Sequence, residues 1–537
     1  MLSALRFIRV FGCSITLLLS AATYSSDKGD DKEPPVPLPG APYFDFKQQR
    51  GLIKGSHSIL PSKPIVIGTV RQVLVDRFIV DSTWNCFRRV HKPEKYPGNP
   101  VIKTVGAGSQ TDEIFTPEFW ASVLYDRVRN RYRVWGATSR ISDQVHLDLG
   151  TYSESEDGIH WNSPALGIVE WKGSRTNNLF MGGNGYRTHT FSIVELPARL
   201  RSKGRFALLY LRILAGKQPA VGHSLETRIA FSDDGVHFRD QLENPVIKGR
   251  SDTHNNMVYN PERDVFMMYR RATVNAHEVR RIAYSESRDL ISWTQPVVVV
   301  EPDELDAPML YGMTVSRYQG IYLGFLQMFY AANAGYAGPR LYRDGRIEKE
   351  LHIDAQLAWS RDGIQWERHP QRPIFLETGI YGSYDWGRVY LNQGVIEKGD
   401  QLYMYYRGVD TLHVPQPRDG GEFCLATLRK DGFVSLDTPG TGYMLTKPLL
   451  CPGGKLHINA KTEPGGFIRV AVRRGDGVND GDWLEGWDYQ SGAIFSGDKT
   501  DATVPWNGKE DFGLLKDQAI RLHFWMEKAQ LYSFWYN

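Results

Sequence analysis

Tyr152-Ser-Glu-Ser-Glu-Asp-Gly-Ile-His-Trp161 returns four times further along the chain. The later copies are Ala230-Phe-Ser-Asp-Asp-Gly-Val-His-Phe238, Ala283-Tyr-Ser-Glu-Ser-Arg-Asp-Leu-Ile-Ser-Trp293 and Ala358-Trp-Ser-Arg-Asp-Gly-Ile-Gln-Trp366. A worn fifth copy reads Ala426-Thr-Leu-Arg-Lys-Asp-Gly-Phe-Val434. Each copy has the form of a hairpin. An alternating strand runs to Ser, Asp-Gly makes the turn, and a second strand opens with an inward aromatic. The Asp side chain can cap turn amides, and Gly supplies positive φ. A second strand pair stands upstream of each copy, as in Trp120–Tyr125 with Tyr132–Trp135, and Asn256–Tyr259 with Val265–Tyr269. Two hairpins per period of about 68 residues give four strands per repeat, the unit of a β-propeller blade. The spacing therefore predicts an all-β protein: a five-bladed β-propeller over 65–445, with Ile67–Val80 available to close the ring.

The repeat stops near Thr446. Short alternating stretches follow (Leu456–Asn459, Phe467–Val472, Ile520–Phe524, Leu531–Trp535), separated by Gly-Asp turns. They predict a C-terminal β-sandwich over 446–537, with its aromatics in the core or against the propeller. At the other end, Arg6 and Arg9 precede an apolar run from Val10 to Leu19 and the small residues Ser20-Ala21-Ala22. Residues 1–22 read as a signal peptide, too short an apolar run to span a bilayer. Residues 23–64 read as a charged, proline-stiffened linker containing Pro34-Pro35-Val36-Pro37-Leu38-Pro39. The mature protein is expected outside the cytoplasm, secreted or periplasmic.

The bulk composition agrees. The 537 residues are 12% aromatic, with 52 Gly and 29 Pro, a turn-rich β composition. Lys and Arg number 64 against 61 Asp and Glu. That near balance argues against a nucleic-acid binder, and against a membrane-surface binder once the signal is removed. Of four cysteines, Cys13 leaves with the signal, and Cys86, Cys424 and Cys451 remain. Cys424 and Cys451 are the nearest pair, with isolated thiols the competing reading. No CxxC pair or HExxH occurs, so no metal or other cofactor is signalled, although a carboxylate-lined channel leaves a structural Ca²⁺ open.

Residues at the starts of the innermost strands of a propeller converge on its central funnel. Before the first blade stand Asp112, Glu113 and Glu118, with Trp120. The second offers Arg187 and His189, the third Asp252 and His254. The fourth offers Asp303, Glu304 and Asp306 before Tyr311, and the fifth Asp385, Trp386 and Arg388 before Tyr390. Carboxylates walled by aromatics suit a sugar, whose C–H faces stack on rings and whose hydroxyls donate to acids. Glycoside cleavage needs two carboxyl groups, one acid and one base or nucleophile. Crowding raises one of their pKa values. Arg270-Arg271 reads as a surface charge pair, with binding of a carboxylate or sulfate on the substrate as the alternative.

The Ser-x-Asp-Gly-x-x-Trp hairpins, the five periods and the trailing sandwich resemble the five-bladed glycoside hydrolases. The chain is most similar to exported bacterial proteins related to glycoside hydrolase families 32 and 43. The matching stretches include Arg88–Pro100, Leu310–Met313, Gln356–Arg368, Tyr384–Tyr390, Val504–Gly508 and Leu531–Phe534. The resemblance implies three acids from different blades: an Asp nucleophile or base, a Glu general acid and an orienting Asp. By position these are Asp252, Asp306 and Asp385, with Glu118 or Glu113 as the acid. Their place at the starts of the inner strands gives Asp112, Trp120, Arg187, His189, His254, Tyr311, Trp386 and Arg388 as substrate-binding candidates. The chain lacks the Asn-Asp-Pro-Asn-Gly, Arg-Asp-Pro and Glu-Cys signatures of fructosidases. The expected function is an exo-acting glycoside hydrolase on a polysaccharide or oligosaccharide. The alternatives are a non-catalytic carbohydrate-binding propeller and, behind it, a sialidase-like enzyme.

Overall fold

The computed structural model describes residues 63–103, 115–117, 119–142, 145–183, 186–214, 225–248, 254–272, 279–307, 309–330, 351–413, 421–476, 483–506, 508–509 and 511–537. The signal and nearly all of the linker predicted from the sequence lie outside them. The described elements are β-strands, with two short 3₁₀ helices at Ala198–Lys203 and Gly513–Leu515. No described helix is long and apolar enough to cross a membrane.

Five antiparallel meanders succeed one another along the chain. The first pairs Phe119–Asp126, Arg131–Ser142, Val145–Ser155 and Trp161–Asn162 in order. The second pairs Tyr186–Glu195, Phe206–Leu214, Leu225–Ser232 and Arg239–Asp240. The third pairs Asn256–Asn260, Val265–Ala272, Arg281–Ser287 and Val297–Val300. The fourth pairs Met309–Tyr318, Ile321–Phe329, Ile353–Ser360 and Glu367–Arg368. The fifth pairs Arg388–Lys398, Gln401–Val409 and Glu422–Arg429, and takes its fourth strand from far upstream, Glu94–Lys95. The strand that completes it is therefore not Ile67–Val80. Gln72–Val73 and Val80–Trp84 pair instead with the C-terminal strands Ala519–Tyr536 and Val434–Thr446.

The middle strands are apolar on both faces, as Ile321–Phe329 shows by being buried throughout. Both faces of a strand are buried only where a sheet is covered on both sides. The apolar clusters give the reason. Phe191, Ile193 and Phe206 pack on Trp135 and Tyr152, and Leu209 and Phe231 pack on Met257, Phe266 and Met268. Met267 and Tyr269 meet Met313 and Leu326, while Leu323 and Phe325 meet Leu391 and Met404. Tyr403 and Tyr405 then return to Val123 and Tyr132 of the first meander. Each meander thus packs on the next, and the fifth packs on the first.

The repeated Asp loops hold each meander locally. In the first, Asp157 accepts the amides of Ile159 and His160 while Ser155 Oγ accepts that of Gly158. The same three bonds recur around Asp234, Asp289 and Asp362. Gly158, Gly235 and Gly363 take φ near 80°, which explains Gly at that place in these copies.

The inner strands are joined by a buried polar hub. Gln393 Oε1 accepts from the hydroxyls of Ser122 and Ser192, each at 2.6 Å, and its Nε2 donates to Met257 O at 2.8 Å. Asn392 Oδ1 accepts the amide of Ala121, and Asn256 Oδ1 that of Val315. A nine-stranded sheet gathers the C-terminal strands, chiefly Val434–Thr446, Leu456–Arg474 and Ala519–Tyr536, with four short strands from residues 65–90. Its core includes Met444, Val470, Phe524, Trp487, Trp506 and Phe512. Arg521 and Asp81 form a buried ion pair within it.

Candidate functional site

Register shifts interrupt four of the five inner strands, between Phe119 and Ser122, His189 and Phe191, Leu310 and Gly312, and Leu391 and Val395. Such bulges re-aim side chains and concentrate at functional rims. Trp120 takes φ 42° and Thr190 φ 63°, left-handed backbone that a β-branched or bulky residue adopts only under constraint.

The result is one indole touching all four other meanders. Trp120 Nε1 donates to His189 Nε2 of the second at 3.3 Å. Its ring stacks on His254, at the entry to the third, with centroids 5.5 Å apart. It stacks on Tyr311 of the fourth at 5.9 Å and meets Tyr390 of the fifth edge-on at 5.3 Å. Tyr311 extends the group to Phe329 and His413, at 5.5 and 4.9 Å. Trp120 is 4% exposed and lies buried at the centre of this aromatic cluster.

Cations surround this cluster. The Arg271 guanidinium lies 4.7 Å from the Tyr311 ring centroid and donates to Tyr311 O, and Arg280 lies 5.2 Å from both the Tyr311 and Phe329 rings. Arg388 donates to Thr411 O at 2.9 Å and stands 3.3 Å from His413 Nδ1. Arg407 sits 5.5 Å from the Tyr390 ring. Burial pushes the His254 imidazole down to about 4, so it is neutral at ordinary pH.

Of the residues singled out in the sequence, Trp120, His189, His254, Tyr311 and Arg388 are therefore brought together. Trp386 packs on Tyr381 at 4.8 Å, just before Arg388 in the chain. Asp306 and Asp385 are held in other contacts. Asp306 accepts from Arg368 Nη1 at 2.6 Å and from the Asp303 amide at 2.9 Å. Asp385 is 2% exposed and accepts from Lys95 Nζ at 2.5 Å, Tyr406 OH at 3.1 Å and Ser383 Oγ at 3.1 Å. Asp112, Glu113, Glu118, Asp252 and the side chain of Arg187 lie outside the described residues.

Arg271 is not the surface charge read from the sequence, since it is buried against Tyr311. Sequence reasoning also passed over Arg280, Phe329, Arg407 and His413, and a fully buried acid, Asp354. Asp354 lies 3.5 Å from Tyr330 OH and 3.9 Å from His352 Nε2, and Tyr330 stacks on His352 at 4.1 Å. A carboxylate inside the apolar strand Ile353–Ser360 was the available signal. Among the described residues no group of three or more His, Cys, Asp or Glu is placed to hold a metal ion. Cys86, Cys424 and Cys451 are free thiols.

A separate cavity of about 670 Å³ opens between the fifth meander and the C-terminal sheet, lined in part by His91, Arg429, Lys461, Asp498 and Tyr532. Its charges pair across it, Arg429 with Asp498 at 2.5 Å and Lys461 with Asp498 at 3.6 Å.

No protein-family model matches the chain, and no curated protein matches it. Among solved structures it is similar to an N-acetylgalactosamine deacetylase from F. plautii in complex with blood group B trisaccharide. That match has 17% identity and a TM-score of 0.45, over 64% of this chain and 96% of the other. A GH32 β-fructofuranosidase from Bombyx mori matches at 11% identity and TM-score 0.40, over 79% and 92%. An exo-inulinase from Aspergillus awamori matches at 10% identity and TM-score 0.40, over 82% and 99%.

Proposed function

We propose that this protein is a secreted or periplasmic glycoside hydrolase. In this reading the five meanders are the blades of a five-bladed β-propeller, and the C-terminal sheet folds as a sandwich beside it. The observation that carries the reading is the Trp120 cluster: one buried indole contacted by residues from, or at the entry to, all four other meanders. In this reading the cluster floors a cup that is blind along the axis and takes the end of a carbohydrate chain, which makes the enzyme exo-acting. Stacking on aromatic faces, hydrogen bonds with Arg187, His189 and Arg388, and sugar hydroxyls donating to Asp112 orient the terminal sugar, with Trp386 at the rim.

Chemistry falls to the carboxylates nearest the cup in the chain. Glu118 and Asp252 each stand two residues before a member of it, Trp120 and His254. Two residues of chain reach at most about 7 Å. Glu118, or Glu113 in its place, protonates the leaving oxygen, and Asp252 acts as base or nucleophile. Asp306 and Asp385, occupied by Arg368 and Lys95, support the walls and do not react. No metal or other cofactor is required. The partner is a carbohydrate, not nucleic acid or a membrane.

A panel of aryl glycosides and oligosaccharides, followed by NMR of the released anomer, tests this. Turnover by the wild type that D252N and E118Q lose supports it. The occupation of Asp306 and Asp385 favours one other reading, a non-catalytic carbohydrate-binding propeller. Saturable glycan binding with no turnover on any substrate would establish that reading instead.

A further inference from the structure

The cavity between the fifth meander and the C-terminal sheet, about 670 Å³, falls within the roughly 300–1,000 Å³ of ordinary ligand sites. It shares no lining residue with the Trp120 cluster. One wall comes from the fifth meander, with Asp400, Thr427 and Arg429, and the other from Lys461 and the edge strand Asp498–Thr503. Bonds across the gap fix its width: Arg429 reaches Asp498 at 2.5 Å, and Thr500 donates to Asp400. The Tyr532 ring is covered by Arg429 at 4.8 Å and by His91 at 5.2 Å, so the lining presents polar groups and not an aromatic face.

That lining selects a ligand by charge. Four carboxylates, Glu94, Asp400, Asp498 and Asp501, are matched by four cations, Lys92, Arg429, Lys461 and Lys499. His91 adds no charge near neutral pH, because burial lowers its pKa. An anion meets the carboxylates and a cation meets the basic groups, so neither is drawn in by the whole. An apolar molecule strips water from these groups and returns no hydrogen bond. Leu428 alone among the lining residues is aliphatic, too little for the side-chain pockets that a bound peptide needs. A neutral molecule dense in hydroxyls serves both signs at once: each O–H donates to a carboxylate while its oxygen accepts from Lys or Arg.

We propose that this cavity is a second carbohydrate site, which holds a neutral oligosaccharide by hydrogen bonds, apart from any reaction. Glu94 and Lys499 are exposed and make no ion pair among the described residues, which leaves both to the ligand. Because its walls belong to the fifth meander and to the C-terminal sheet, a bound chain bridges the two. That the chain is the enzyme's own substrate rests on the glycosidase reading; the site itself stands without it.

The test is calorimetric titration of the full chain with neutral hexasaccharides of glucose, mannose, galactose, xylose and fructose. Trigalacturonate, spermine and hexaglycine serve as the acidic, basic and peptide controls. At least one hexasaccharide should bind saturably and better than every control. In E94Q/K499M, the loss of two charge-assisted hydrogen bonds should weaken that binding by about tenfold or more. Both residues are exposed, so the melting temperature of the unliganded variant should remain that of the wild type. No binding of any hexasaccharide overturns the proposal, and so does a control that binds more tightly than all of them. Binding that E94Q/K499M leaves unchanged in affinity and stoichiometry lies elsewhere on the chain and overturns it too. No readout needs turnover, so failure of this site and failure of the glycosidase reading are told apart.

Discussion

Gln393 offers the sharpest test of how the ring is held. In Q393L a side chain of similar volume loses every polar contact of the hub. Three hydrogen bonds go: two accepted from Ser122 and Ser192, each 2.6 Å, and one donated to Met257 O at 2.8 Å. At about 1 kcal/mol net each, the full loss is about 3 kcal/mol. Part returns, because each serine hydroxyl can swing to a second acceptor. Ser122 Oγ is 3.0 Å from Phe191 O, and Ser192 Oγ is 3.2 Å from Met257 O. The expected cost is about 2 kcal/mol. An unfolding entropy of about 1 kcal/mol/K for the compact unit Ile59–Asn537 makes this a fall of about 2 °C in Tm. Q393E separates hydrogen bonding from packing. Its carboxylate still accepts from both serines but turns a negative oxygen on Met257 O, in a site only 8% exposed. Burial raises the folded pKa of such a group above its unfolded value. Its stability is therefore retained at low pH and lost as pH rises through the folded pKa. Q393E should melt below Q393L at pH 8 and recover as the pH falls. Thermal melts by circular dichroism across pH 5–8 measure both. A Q393L shift under about 0.5 °C, or a Q393E deficit that ignores pH, refutes the hub as the device that joins the inner strands.

The acids and thiols yield three more expected outcomes. D252N should lower turnover by about 10²–10⁴ with Tm unchanged, while D306N and D385N should lower Tm by weakening the Arg368 and Lys95 pairs and leave more activity than D252N; activity and melting curves side by side decide this. Against an opposing desolvation, the hydrogen bonds at Asp157, Asp234, Asp289 and Asp362 hold these carboxyls below the usual carboxylate range. Depressed folded values stabilise above about pH 4 and lose that contribution as the pH falls, so the fourfold Asp→Asn variant should show a flatter acid unfolding curve than the wild type. Burial pushes the Cys86 thiol up to about 11 and raises those of Cys424 and Cys451; a thiol reagent should label the native protein slowly and the urea-unfolded protein at once.

The repeat was legible because its determinants are local. Ser155, Asp157 and Gly158 bond within three residues of one another, so their spacing survives in the one-dimensional pattern. The rule that inner-strand starts converge was enough to gather Trp120, His189, His254, Tyr311 and Arg388. The features that failed to show depend on distant partners. Asp385 meets Lys95 across 290 positions and Asp306 meets Arg368 across 62. Nothing in the local sequence around either acid distinguishes a paired carboxylate from a reactive one. The strand Glu94–Lys95 is two residues long, below the length at which alternation can be read. The bulges at Trp120 and Thr190 carry no glycine to announce positive φ.

The worn fifth copy obeys the same logic. Arg429 stands where Ser155 stands in the first copy, two residues before the aspartate. No hydroxyl is there to accept the glycine amide, and Gly432 N bonds to Arg429 O instead. Asp431 consequently spends its oxygens elsewhere. It accepts from Arg71 Nε at 3.0 Å, Tyr318 OH at 2.5 Å and Ser533 Oγ at 2.6 Å. These partners lie in the segment before the meanders, in the fourth meander and in the last C-terminal strand. Arg429 turns the same way, donating to Asn459 Oδ1 at 2.8 Å and lying 4.8 Å from the Tyr532 ring centroid. A loop that closed its own hairpin in four copies became, in the fifth, the joint between the repeats and the C-terminal sheet. In that loop the aspartate serves contacts a hundred or more residues away instead of the local turn. A degenerate final copy in such an array therefore marks the seam between the repeats and the C-terminal sheet, and it is the first place to look for residues that couple the two.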